Sequence, residues 1–277
     1  MKWRTWGQLI GGLLVVLWCL GPLYWALVIA LATTYQINAS QPFFFPHPVT
    51  WAHFEQLLMG QGTSGNFWGT ALNSVVEAVA TTMATVAIAT MAGYAFARMR
   101  FGGAQGFFLL IVGTIALPAY AVIVPLFQMM SSMHLVGTYL GVVLVEISAV
   151  LPLAVWLMRS YIAALPASIE DAARIDGASL WVMLSRVVLP LIGPGMASTT
   201  IVVFLTSWSQ FLIPLTYAPS SHAEPLTVLI TQFVSKHAVD YGLQAAAGIM
   251  ALIPPAILVL RFNRRVLSGL LTGATTS

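Results

Sequence analysis

The chain has 277 residues, of which 59% are apolar and only 7% charged, with a formal net charge of +3. A water-soluble domain carries about 25% charged residues, so this composition excludes an ordinary soluble enzyme or nucleic-acid-binding module and places the chain in a bilayer. Its single cysteine, Cys19, excludes an internal disulfide and a multi-cysteine metal site.

Apolar runs long enough to cross about 30 Å of hydrocarbon as helices lie at 8–33, 69–97, 106–130, 138–158, 190–217 and 243–262, which predicts an all-α, polytopic membrane protein with six transmembrane helices. The first run follows Lys2 and Arg4 like a secretory signal, but it far exceeds the 7–15 residues typical of a signal core and reads as a retained helix. The fifth is diluted by Ser198, Thr199, Thr200, Ser207, Ser209 and Gln210, and disturbed at its start by Pro190 and Pro194. Pro118, Pro152 and Pro254-Pro255 lie within spans, where they allow kinks.

With a cytoplasmic amino terminus, Lys2, Arg4, Arg98, Arg100, Arg159, Arg174, Arg186, Arg261, Arg264 and Arg265 all fall inside and only Lys236 outside. This positive-inside pattern predicts both termini in the cytoplasm. All five histidines, at 47, 53, 134, 222 and 237, fall in predicted outer loops without an H-x-x-x-H pair, and read as loop chemistry rather than a metal site. Gly137 and Gly141 form a small-x-x-x-small pair suited to close helix packing.

Between the fourth and fifth spans, 166–190 forms a polar island. Pro166 suits the first turn of a helix, Glu170 and Asp171 set negative charge near its positive end, and Gly177 terminates it. Ser179 caps a second short helix carrying Trp181 to Arg186 into the fifth span. Small residues Ala172, Ala173, Gly177 and Ala178 let another protein approach the backbone, while Glu170, Arg174 and Asp176 offer directional contacts.

Glu77 and Glu146 are the only acids expected within the hydrocarbon, each about 12–14 Å deep at 1.5 Å per residue. An ionisable group at that depth faces a cavity or another helix. One reading has Glu77 or Glu146, with Asn73 nearby, bonding a polar solute in an outer-half cavity; the other has each acid joining helices through Ser, Thr or backbone groups. The chain contains no G-x-x-x-x-G-K-[ST] phosphate loop, no H-E-x-x-H and no G-x-S-x-G, so an enzymatic role finds no motif to rest on.

Glu170-Asp171-Ala172-Ala173, Asp176-Gly177-Ala178 and Leu189-Pro190 resemble the EAA loop of ATP-binding cassette importer permeases. The resemblance continues through Pro125-Leu126-Phe127, Gly137-Thr138, Leu151-Pro152, Ala154-Val155-Trp156, Ser207-Trp208, Phe211, Pro214-Leu215 and Gly269-Leu270, in the order found in the smaller permease of maltose-type carbohydrate importers. The acid of the E-A-A triplet is Asp171 here, with Glu170 before it; the usual W-N-D-F reads Trp208-Ser209-Gln210-Phe211, and the tail ends in Thr276-Ser277.

The resemblance implies one importer transmembrane domain over 1–277, with 166–190 as its cytoplasmic coupling loop in a bacterial cytoplasmic membrane. It implies docking to an ATPase subunit through Glu170, Asp171, Ala172, Ala173, Arg174, Asp176, Gly177 and Ala178, and adds Gln210 to Glu77, Glu146 and Asn73 as a pathway candidate. The implied partners are a second homologous permease, two ATP-binding cassette ATPase subunits and an extracytoplasmic sugar-binding protein. ATP and Mg would be held by the ATPases, with no cofactor on this chain and no catalytic site. The implied cargo is a sugar; glycerol phosphodiesters, polyamines or another small solute are alternatives on the same plan, and a stand-alone secondary transporter is a further one.

Overall fold

The computed structural model describes residues 2–39, 41–61, 65–117, 119–219, 222–234 and 239–274. Lys236, His237, Pro118 and Thr276-Ser277 lie outside the described residues, as do the side chains of Lys2, Arg4, Arg264, Arg265 and the tail from 269. Among the described residues the structure is helical apart from an isolated antiparallel bridge between Val234 and Val239. In chain order the helices are α1 (Lys2–Leu31), α2 (Thr34–Asn38), α3 (Ala52–Met59), α4 (Phe67–Arg98), α5 (Ala104–Gly113), α6 (Ala119–Ser132), α7 (Tyr139–Ala163), α8 (Ala167–Ile175), α9 (Leu180–Val182), α10 (Leu189–Leu191), α11 (Gly193–Trp208), α12 (Leu212–Tyr217), α13 (Leu226–Gln232) and α14 (Tyr241–Ala274). A 3-10 turn follows α5 at Thr114–Ala116, and a π-helical stretch, Met183–Val188, joins α9 to α10.

Among the described residues four helices are long and apolar enough to cross a membrane: Gly7–Leu31, Phe67–Arg98, Tyr139–Ala163 and Tyr241–Arg261. The pair Leu180–Leu191 and Gly193–Trp208, bent by 79° at Ile192 with Pro194 in the first turn of α11, makes a fifth when the two are taken as one broken span. The single span expected over 106–130 is instead two shorter apolar helices, Ala104–Ala116 and Val122–Ser132. Leu117 between them is extended, as the residue before a proline prefers to be.

The helices form two compact units, residues 1–72 with 226–254, and 73–225 with 255–277. In the first, α3, the start of α4, α13 and the start of α14 bury Phe54, Leu57, Phe67, Leu226, Leu229 and Leu243 around Ala30 at the end of α1. Trp68 ties α4 to α3 by donating from Nε1 to the Leu58 carbonyl at 3.1 Å. A capping box starts α2, with Gln36 N donating to Thr33 Oγ1 and Thr33 N to Gln36 Oε1. Most of α1 leaves its large side chains uncovered, Trp18 being 84% exposed, as suits a helix whose surroundings are lipid or another subunit.

In the second unit α7 is the central helix, packing against α5, α6, α11 and α12. Its C-terminal half buries Val150, Ala154, Val155, Met158 and Ile162 with Tyr94, Phe108, Met183 and Val203. Its other end buries Val142 and Val145 with Met130, Ile213 and Tyr217. Small residues set the spacing here: Gly195 of α11 fits against the Tyr161 ring, where a Cβ would stand 2.4 Å from the ring carbon Cγ.

Candidate functional site

The polar island folds as local chemistry requires. Pro166, at φ −59° and ψ 128°, leads into α8, which carries Glu170 in its first turn and Arg174 in its last. Gly177 holds φ +81° and closes the helix: its N–H donates to the Arg174 carbonyl and that of Ala178 to the Ala173 carbonyl, both at 3.0 Å. That pair of bonds is the Schellman arrangement, and it needs a residue tolerant of left-handed backbone. Ser179 then caps α9 by accepting from Val182 N at 3.4 Å.

The eight residues expected to dock an ATPase do not share one exposure. Asp171, Ala172, Arg174, Asp176 and Gly177 are exposed, and Ala173 and Ala178 are half-buried. Asp171 and Arg174 pair at 3.3 Å across one turn in open solvent, an arrangement worth little to stability. Ile175 beside them is 87% exposed, an apolar side chain standing free on a polar loop.

Glu170 is buried at 3% exposure, because consecutive helical residues point about 100° apart and only one of two neighbouring acids faces outward. It accepts from Arg98 Nε at 2.5 Å and from the Tyr94 hydroxyl at 3.1 Å. Arg98 reaches as well to the Leu165 carbonyl at 2.7 Å. Sequence reasoning counted Arg98 for orientation only, and nothing local marks it as a partner of a residue 72 positions on.

A second polar feature runs along α4. Asn73, Glu77, Thr81 and Thr85 recur every fourth residue, share a face, and are all buried. Asn73 donates both amide hydrogens, to the His222 carbonyl at 2.8 Å and the Glu224 carbonyl at 2.7 Å, and accepts from the Tyr139 hydroxyl at 2.5 Å. Its bonding capacity is thereby committed to holding the 222–224 segment.

Glu146 of α7 accepts at one oxygen from Thr81 of α4 at 3.0 Å and from Ser207 of α11. One carboxylate therefore joins three helices. Glu77 Oε1 and Thr85 Oγ1 are buried with no partner among the described residues. Gln210, half-buried, follows α11 with its N–H on the Ser207 carbonyl at 3.0 Å. The role of Ser207 was missed in the sequence, where it registered as dilution of an apolar run and as part of the Ser207-Trp208 resemblance but not as a partner of Glu146. Arg159 also departs from a purely orienting role: its guanidinium lies 4.1 Å above the Phe108 ring, a cation–π contact.

The chain matches, over residues 89–270, the family described as the binding-protein-dependent transport system inner membrane component. The chain belongs to that family. Within it, the chain is 34% identical over 210 residues to the arabinooligosaccharides transport system permease of Halalkalibacterium halodurans, covering 76% of this chain and 75% of the relative. It is 29% identical over 272 residues to the trehalose/maltose transport system permease of Thermococcus litoralis, covering 96% and 95%. Its fold is similar to a chain of a bacterial ABC transporter involved in the import of the acidic polysaccharide alginate, with a TM-score of 0.80 at 21% identity over 95% of this chain and 96% of that one. This binding-protein-dependent permease is accordingly a membrane protein of helical fold.

Proposed function

We propose that this protein is the permease subunit of an importer that carries a di- or oligosaccharide into the cytoplasm, driven by ATP hydrolysis in partner subunits. The relatives named for arabinooligosaccharides and for trehalose and maltose support the substrate class. The observation that carries the mechanism is α8, a capped helix between two spans whose outward face presents Asp171, Arg174 and the uncovered Ile175. An apolar residue held in the open beside a charge pair suits an interface core with a polar rim.

In this reading α8 docks on one of two ATPase subunits, which hold the ATP and Mg, and the chain itself contributes no phosphate loop. A second homologous permease and an extracytoplasmic sugar-binding protein complete the assembly, and both termini lie on the cytoplasmic side of the inner membrane. Closure of the ATPase pair shifts α8, and the spans follow from inward- to outward-facing. Such coupling requires α8 to meet the two ATPase states with different affinity, since equal affinity moves no equilibrium.

Within the span region, Glu77 is the pathway candidate with a buried oxygen that meets no partner among the described residues, whereas Asn73 holds the 222–224 segment and one oxygen of Glu146 is shared by Thr81 and Ser207. The direct test is purification of the assembly. Co-isolation of an ATPase with the wild-type chain, and its loss on Ile175→Asp or Gly177→Trp, supports the reading; isolation of the chain without any ATPase overturns it. The sugar is then identified by eluting the ligand of the co-purified binding protein.

A further inference from the structure

Two adjacent acids in the first half of α8 have opposite surroundings. Asp171 has a side chain 63% exposed, whereas the Glu170 side chain is 4% exposed and that of its partner Arg98 14%. Arg98 is the last residue of α4, and Tyr94 lies one turn before it on the same face. The pair grips α8 from both sides: Arg98 Nη2 donates to the Leu165 carbonyl, just before the helix, and Nε to Glu170 within it. The Tyr94 hydroxyl donates to Glu170 at 3.1 Å and lies 3.4 Å from Met183 Sδ, where the π-helical stretch begins.

We infer that Glu170 is not a contact to the ATPase but the inward anchor that fixes the coupling loop to α4, with Arg98 and Tyr94 as its receptor and Asp171 left as the outward acid. This rests on the docking reading of α8. An exposed loop needs no buried ion pair for solubility, and burying one is costly unless its geometry is well satisfied. Here both carboxylate oxygens and two guanidinium nitrogens are engaged. The anchor joins α8 to a continuous helix that carries Glu77 about 32 Å away, 21 residues at 1.5 Å each. A displacement of α8 is thus passed to α4 as a rigid body, and the π-helical stretch next to Met183 absorbs the remaining change, as such irregular turns do at working sites. Glu170 and Arg98 act through α4 and are positioning residues.

The test uses the complete assembly in lipid nanodiscs, with Cys19→Ser and a bimane fluorophore on Val76→Cys, a 41%-exposed site next to Glu77 on α4. The probe is ATP with vanadate, which traps the closed ATPase pair. The unsubstituted receptor should show an emission shift on trapping. Arg98→Ala and Glu170→Ala should each retain the ATPase subunits and ATP hydrolysis yet lose most of the shift, and combining them should add nothing further. Arg98→Lys should restore part of it.

Loss of the ATPase from Glu170→Ala with its retention in Arg98→Ala would make Glu170 a docking residue and overturn the anchor alone, as would a full shift in both variants. Should the single variants fail to assemble, Arg98→Met with Glu170→Met removes both charges while keeping volume; a lost shift there supports the anchor and a retained one refutes it. An unsubstituted chain that carries no ATPase would sink the docking reading, and the anchor with it.

Discussion

Gly93 of α4 lies directly against Arg159 of α7: a Cβ placed on Gly93 would stand 2.8 Å from the Arg159 amide nitrogen and 2.9 Å from Met158 Cβ. The obstacle is backbone, which cannot rotate aside, so any side chain at 93 must push α4 from α7. Gly93→Ala is expected to destabilise the folded chain by about 1–3 kcal/mol, and Gly93→Leu to prevent correct assembly. Gly106 of α5 is the control, because a Cβ there meets nothing within 4 Å. Gly106→Ala should be neutral or stabilising by up to about 1 kcal/mol through helix propensity. Thermal unfolding of the purified protein in detergent separates the two: a Gly93→Ala midpoint equal to that of Gly106→Ala would refute the close crossing.

The Asn73 clamp makes a local prediction. Asn73→Ala takes the amide donor from the Glu224 and His222 carbonyls and leaves the Tyr139 hydroxyl, which also reaches the His222 carbonyl at 3.2 Å, as the side-chain tie to that segment. A cost of about 1–3 kcal/mol for the stranded groups should appear as faster amide exchange around 222–226, on the order of tenfold for each 1.4 kcal/mol. Exchange in α7 should hardly change. Unaltered protection of the 222–226 segment would show that the clamp is incidental.

What was legible in the sequence was what neighbouring residues decide among themselves. Pro166, Gly177 and Ser179 bound two short helices through bonds that span only three to five positions, so their roles could be read from spacing. The apolar runs likewise sufficed for a helical membrane fold. The inward turn of Glu170 was not legible, because its partner Arg98 is 72 positions away and both faces of α8 carry charge. The break of the expected 106–130 span was only half legible: Pro118 marked a kink, but whether the helix bends there or stops at Leu117 depends on its neighbours. Ser207 belongs with these: a hydroxyl in an apolar span acquires meaning only from the carboxylate that it faces.

Glu224, in the segment held by Asn73, gives a pH dependence. Burial pushes its carboxyl above the usual carboxylate range. Through the window between that range and the raised native value, the unfolded chain has released its proton and the folded chain keeps one. Stability therefore falls as pH rises across the window and is greatest below it. Glu224→Gln removes the titration and keeps the backbone carbonyl that Asn73 uses, so its unfolding midpoint should exceed the wild-type value at neutral pH and approach it in acid. Equal midpoints for the two proteins across the whole pH range would contradict this account.

Glu146 and Glu77 invite opposite outcomes from the same chemical change. Glu146 is an acceptor shared by Thr81 and Ser207, and the carbonyl oxygen of a glutamine can accept both bonds. Glu146→Gln should accordingly fold and import much as wild type does, whereas Glu146→Ala strands two buried hydroxyls at about 1–3 kcal/mol each. A double-mutant cycle between Glu146→Ala and Ser207→Ala should show coupling of about 0.5–3 kcal/mol, since each change removes the same bond. Glu77 is different because its buried Oε1 meets no protein donor among the described residues. If that oxygen serves a sugar hydroxyl, Glu77→Gln should lower uptake of the ligand recovered from the binding protein while leaving assembly and the thermal midpoint intact. Uptake at the wild-type rate would remove Glu77 from the pathway, and additive Glu146 and Ser207 effects would remove the three-helix junction.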